Sequence, residues 1–220
     1  MPLNLASDLS IRGCILAVDS FNNGLPHLKH LSIDVCRSSP SLSIGHLTSL
    51  ESLRLIGLPD LCFVEGLSSL HLKHLILVDV ANLTAKCIST FRVQESLRVT
   101  SSVLLNHMLM AEGFTAPPNL TLSDCKEPSF SFEEPANLSS VKDLNFLLCE
   151  MESLPRNLKS LSSLESLHIG RCPNVASLPD LPSSLQRISI SGCPVLKKNC
   201  QEPDGESWPK ISHLRWKHIY

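Results

Sequence analysis

Aromatic residues make up only 5% of the 220-residue chain, with a single tyrosine and two tryptophans. Aliphatic side chains must therefore fill any interior the chain builds. Charged residues account for 18% and the formal net charge is −2. Without a basic excess, a general nucleic-acid binder is excluded. No apolar run reaches the ~20 residues of a membrane helix, so no membrane partner is expected. Met1–Cys14 lacks the basic segment and apolar stretch of a signal peptide. The nine cysteines include no Cys-x-x-Cys pair, which removes the usual zinc and thiol-redox signatures. Gly-x-Ser-x-Gly, His-Glu-x-x-His and Gly-x-x-x-x-Gly-Lys-[Ser/Thr] are all missing, and the histidines are scattered. Hence neither catalysis, nor a metal, nor a nucleotide cofactor in this chain is expected. Asn-x-Ser/Thr triplets at Asn82, Asn119 and Asn137 are no more than chance provides in so serine-rich a chain.

What is present is leucine at a fixed interval. Segments align on Leu9, Leu31, Leu53, Leu75, Leu97, Leu120, Leu144, Leu167, Ile188 and Leu214, spaced by 22, 22, 22, 22, 23, 24, 23, 21 and 26 residues. Two residues after each anchor stands another apolar residue, from Ile11 and Ile33 to Ile190 and Trp216. Three before it stand Leu28, Leu50, Leu72, Val141, Leu164, Leu185 and Ile211, with Ala6, Gln94 and Pro117 as exceptions. A period of 20–29 residues is that of leucine-rich repeats. Anchor and anchor+2 lie on one face of a short strand, and one strand cannot bury that face alone. Parallel stacking of the repeats does bury it. The expectation is an α/β or mainly-β solenoid over residues 1–220, a horseshoe of about ten repeats with its parallel sheet on the concave side. The outer arcs, rich in proline, are expected to be irregular or 3₁₀.

Five residues after the anchor come Cys14, Cys36, Cys125, Cys149, Cys172 and Cys193, six of the nine cysteines in one column. A small side chain with weak hydrogen-bonding capacity suits a buried turn. Reduced structural thiols are expected; bridging between neighbouring rungs is the alternative the spacing allows. Such usage suits a reducing compartment, cytoplasmic or nuclear.

Three places depart from the pattern. Ser101-Ser102 followed by an apolar stretch and Gly113 predicts a helix near 103–112. Residues 81–118 form an irregular middle. The first rung starts at residue 6 with nothing to cap its edge, so a further domain is expected before residue 1. Residues 203–220 are expected to cap the other end, with Trp216 large enough to cover the last core layer.

Leu161–Pro173, reading Leu-Ser-Ser-Leu-Glu-Ser-Leu-His-Ile-Gly-Arg-Cys-Pro, resembles the repeats of plant intracellular nucleotide-binding leucine-rich-repeat disease-resistance proteins. Leu178–Pro194 is similar to the last repeats of that family, and Gly205–Leu214 to the C-terminal end of its cereal members. The resemblance implies a domain that senses a pathogen effector or a guarded host protein and holds a nucleotide-binding switch domain closed. The ADP/ATP site and a coiled-coil domain would then lie outside this chain. The alternatives are a free-standing adaptor that binds a cellular protein, such as a ubiquitin-ligase substrate, and an extracellular receptor fragment. The latter usually shows Leu-x-Gly-x-Ile-Pro arcs and paired cysteines, which are absent.

Binding would fall on the exposed positions flanking the anchors. The residues expected there are Lys29, Arg54, Ile56, Lys73, Ile76, Arg98, Lys142, His168, Arg187 and Arg215. Arg54, Arg98, His168 and Arg215 are placed one after the anchor, at mid-surface. Arginine suits carboxylate recognition, and exposed Ile56, Ile76, Val78, Leu147 and Leu148 call for a partner. Charges on a sheet face also serve solubility alone.

Overall fold

A computed structural model describes residues 6–16, 21, 25–83 and 92–220. It is a parallel-sheet solenoid. Residues Met1–Val99 with Met110–Phe114 form one compact unit, and Thr100–Leu109 with Thr115–Tyr220 form a second. Residues 84–91, part of the expected irregular middle, lie outside the described residues.

The first unit holds β1 (Asp8–Arg12), β2 (His30–Asp34), β3 (Ser52–Ile56), β4 (His71–Val78) and β5 (Arg92–Val99), paired in that order and all parallel. The register is that of the repeat: Leu9, Leu31, Leu53, Leu75 and Leu97 face one another across successive strands. Leu31, Leu53, Leu75 and Leu97 are at most 1% exposed, as are Ile33, Leu55 and Val99 two residues on. Leu9 and Ile11 are half-buried.

The fifth rung corrects one column. Gln94 does not take the place of Leu72. A bulge between Leu72 and His74 sets Val93 opposite Leu72, and Val93 is buried while Gln94 and Glu95 turn to solvent. One extra residue in the strand lets an apolar side chain regain the core.

The second unit holds β6 (Asn119–Ser123), β7 (Asp143–Leu147), β8 (Ser166–Gly170), β9 (Arg187–Ser191) and β10 (Trp216–Ile219), again parallel. Leu120, Leu144, Leu167 and Ile188 stack in register and are almost wholly buried. The last rung departs from expectation by three residues. Ile188 pairs with Lys217, not with Leu214. Leu214 instead takes the place three before the anchor: its N–H bonds Ile211 O, as Leu164 bonds Leu161 and Val141 bonds Leu138. Trp216 therefore does not cover the core. It stands on the solvent face, 50% exposed, and Arg215 lies outside the mid-surface row.

Among the described residues, three α-helices stand where a single one was expected. α1 spans Ser102–Leu109, shorter than 103–112, and buries Leu104, Leu105, Met108 and Leu109. Leu104 N donates to Ser101 Oγ at 3.2 Å, an N-cap. α2 (Pro194–Asn199) and α3 (Trp208–Ile211) each begin with proline in the first turn, where its missing N–H costs nothing. The other arcs are extended or 3₁₀, as at Leu67–Ser69, Pro135–Leu138 and Leu158–Ser160. Asparagines clamp arcs together: Asn157 Nδ2 donates to Phe132 O (2.8 Å), Asn174 Nδ2 to Glu150 O (2.9 Å) and Asn199 Nδ2 to Ala176 O (2.8 Å). Asn82 and Asn137, two of the triplet asparagines, use their amides likewise, on Pro59 O and Leu109 O, each at 2.6 Å.

The cysteine column is the turn out of each strand. The residue before it is left-handed in rung after rung: Val35, Asp79, Asp124, Leu148 and Arg171 have φ of 51–57°, and Gly13, Gly57 and Gly192 of 60–66°. That turn keeps the ladder going, since Val35 N donates to Ile56 O and Leu148 N to Gly170 O, and it swings the next side chain inward. The thiols of Cys36, Cys149, Cys172 and Cys193 then lie 3.3–3.4 Å from a carbonyl of their own rung. They also lie 3.6–3.9 Å from one of the rung before. Cys14, Cys36, Cys125, Cys149, Cys172 and Cys193, the six of the column, are free thiols. Hydrogen bonding to Cys149, then burial, pushes the Cys125 thiol up, and bonds to Cys149 and Cys193 with burial do the same for Cys172. Any thiolate in the column would settle on Cys149, which receives bonds first from Cys125 and then from Cys172.

Cys14 is the exception, since it is exposed. Its rung lies at the edge of the described sheet, with no further described strand beyond it. A brief treatment of native protein with an alkylating reagent, mapped by mass spectrometry, is expected to label Cys14 and to spare Cys125, Cys149, Cys172 and Cys193 until the chain unfolds. Equal labelling of all five would contradict the buried column.

Candidate functional site

Alternation along each strand turns the positions beside the anchors to solvent. In the first unit this face carries Lys29, Arg54, Ile56, Lys73, Ile76 and Arg98 together, as the repeat phase requires. Arg54, Ile76 and Arg98 are successive neighbours across β3, β4 and β5. Ile56 faces Val78 two residues further along.

The charges here are mutually engaged. Lys73 Nζ donates to Glu51 Oε2 at 2.7 Å, and Lys29 Nζ lies 3.4 Å from Glu51 Oε1. The bond from Lys73, then that from Lys29, hold the Glu51 carboxyl below the usual carboxylate range, and Glu51 in turn raises Lys73. Arg54 Nε is 3.5 Å from Asp34 Oδ1, and His74 sits between Ser96 Oγ (2.8 Å) and Glu95 (3.6 Å). Such solvent-exposed pairs add little stability. Their effect is to neutralise the rim. Ile56, Ile76 and Val78 remain half-buried in its middle, with Val35 59% exposed beside them.

In the second unit Lys142, His168 and Arg187 share the solvent face. Lys142 is 3.5 Å from Glu165, and Arg187 is 3.9 Å from Asp143. His168, in the row with Asn145 and Ser189, has its pKa lowered by burial and so favours the neutral imidazole. The three-residue shift of the last rung moves Arg215 to the row two before the anchor. There its guanidinium lies over the Trp216 ring at 5.4 Å. The shift also brings Trp216 and His218 onto the face, beside Arg187 and Ser189. Leu147 is half-buried and Leu148 45% exposed.

Sequence reasoning missed the aromatic corner made by Trp216, His218 and Tyr220, whose last two rings stack at 6.2 Å. The signal was present in the alternation Trp-x-His-x-Tyr, but Leu214 had claimed the anchor. Among the described residues, no group of three or more His, Cys, Asp or Glu could hold a metal ion, and no helix is long and apolar enough to cross a membrane.

A stretch of 82 residues is 33% identical to TMV resistance protein N of Nicotiana glutinosa, covering 37% of this chain and 7% of that protein. The chain thus matches a small part of that relative's length. No protein-family model matches the chain. The parallel-sheet solenoid and this distant match fit a leucine-rich-repeat-type domain and a link to disease resistance.

Proposed function

We propose that the chain is the ligand-sensing and autoinhibitory leucine-rich-repeat domain of a plant immune receptor, working by protein recognition and not by catalysis. Its partners would be a pathogen effector or guarded host protein and, within the same polypeptide, a nucleotide-binding domain that holds the ADP or ATP. The compartment would be the cytoplasm or nucleus. One observation carries the reading. The solvent face of the first unit sets Ile56, Ile76 and Val78 inside a ring of charges that already satisfy one another. An apolar centre with a neutralised polar rim is the anatomy of a protein interface, and its rim offers no surplus charge for a nucleic acid. The distant likeness to a resistance protein supports the defence setting.

Two measurements test it. The transcript encoding the chain is expected to carry an in-frame phosphate-binding loop upstream of Met1; a stop codon there would favour the adaptor and overturn the receptor reading. Where that upstream domain exists, Ile56→Asp with Ile76→Asp is expected to weaken its capture of the repeat chain at least ~tenfold, as loss of central interface side chains does. Unchanged capture would remove this face from the restraint.

A further inference from the structure

The second unit carries a recognition site of a different character. An open trough of about 590 Å³ lies on its solvent face, with Ser166 and Ser189 as a low floor and Trp216 and His218 as one wall. Asp143 and Arg187 complete it. From β7 to β10 is three strand spacings, ~14 Å, wide enough for a polypeptide and open to solvent along its length.

Its charge is unbalanced, unlike that of the first unit. Glu165 is engaged by Lys142 and Asp143 by Arg187. At 3.9 Å the second contact is longer than a hydrogen bond, so the Arg187 fork keeps its donors for a ligand. Among the described residues, Arg215 has no carboxylate within ion-pair distance. Its guanidinium lies over the Trp216 ring. Two guanidinium groups, of Arg187 and Arg215, thus flank a half-exposed indole, with one carboxylate, already claimed, beside them. Arginine and tryptophan are the side chains that most often dominate binding energy. Guanidinium forks select carboxylates with two parallel bonds, while the indole face and the low serine floor accept a flat apolar group.

We propose that this trough binds an acidic peptide segment bearing a large apolar or aromatic side chain, the carboxylates lying on Arg187 and Arg215 and the apolar group against Trp216. The site rests on the reading of the solvent face as a recognition surface, and it assigns that face's second unit a partner chemistry. An uncharged or basic segment would leave the arginines without counter-charge and is disfavoured.

The test uses the full 220-residue chain and a panel of synthetic nonapeptides with Asp or Glu flanking a central Phe. Partner panels replace Phe by Ala or the acids by Lys. Binding is read by calorimetry and by the indole resonance of Trp216 in NMR spectra. Acidic Phe peptides are expected to bind below about 1 mM and to shift the Trp216 resonance, with each partner panel at least ~tenfold weaker. Trp216→Ala and Arg187→Glu should each lose the binding about tenfold or more. Both positions are exposed, so circular dichroism should stay unchanged; Arg215→Glu serves in place of any variant that fails this check. Ile56→Asp with Ile76→Asp, in the first unit, should leave peptide binding intact. Equal affinity for the lysine panel, no binding by any acidic member, or insensitivity to Trp216→Ala overturns the proposal. Because no nucleotide-binding domain is present in this assay, peptide binding with failed capture of that domain would count against the restraint reading alone.

Discussion

Phe146→Ala is expected to cost about 3–5 kcal/mol, the range for emptying a buried aromatic site. Phe146 is wholly buried on β7, between Leu122 on one side and Ile169 on the other, and its ring meets Phe130 edge-on at 6.5 Å. The scarcity of aromatics makes it one of the three largest fully buried side chains, with Phe21 and Phe114. Leucines fixed on neighbouring rungs cannot collapse into the space without breaking their own register. Since a domain's stability is about 5–15 kcal/mol, a single such change should consume much of it. Chemical denaturation followed by circular dichroism measures this directly. A loss below about 1 kcal/mol would mean that the rungs of the second unit do not share one tightly packed core.

Gly66→Ala should be nearly as damaging, for a reason of backbone geometry. Outside the main sheet, Ser41–Ser43 and Phe63–Glu65 pair in parallel, and the chain leaves both at glycines that stack on each other. Gly66 has φ +84°, and a Cβ there would sit 2.3 Å from Gly45 Cα and 2.5 Å from Gly45 N. These neighbours are main chain held by the pairing, so they cannot swing aside as a flexible side chain would. The left-handed conformation costs an ordinary residue roughly 1–2 kcal/mol, and overpacking adds about 1–3 kcal/mol. The sum expected is ~3 kcal/mol or more. Gly13→Ala is the control, because Gly13 is also left-handed (φ +66°) but has nothing within 4 Å of the added carbon. Its cost should stay near the conformational part alone. Equal losses at the two positions would remove the close approach from the account.

Much of the fold was legible because a solenoid repeats a local pattern. Within each unit the anchors, Leu9 to Leu97 in the first and Leu120 to Ile188 in the second, sit on strands in the register that the repeat spacing predicts. The turn cysteines from Cys36 to Cys193 are buried where their column requires. Less of the candidate site was legible. Spacing placed Arg54, Ile76 and Arg98 on one face, but not the pairing of Lys29 and Lys73 with Glu51, since an ion pair depends on where two flexible side chains end. The last rung failed for a plainer reason. Ile211 and Leu214 are three apart, and three is both the distance from the −3 column to the anchor and the distance from one arc leucine to the next. Either phase satisfies the local pattern.

The sequence by itself therefore determined the repeat, the parallel strands, the buried columns and the absence of catalytic and metal-binding motifs. Each is a periodic or compositional property, readable without knowing what lies across the sheet. Only the tertiary structure decided the phase of β10, the bulge that brings Val93 inward, the left-handed row before the cysteines and the asparagine clamps between arcs. Each of these is set by hydrogen bonds to residues some twenty positions away. That ladder turned Trp216 from a supposed lid on the core into the wall of an exposed trough.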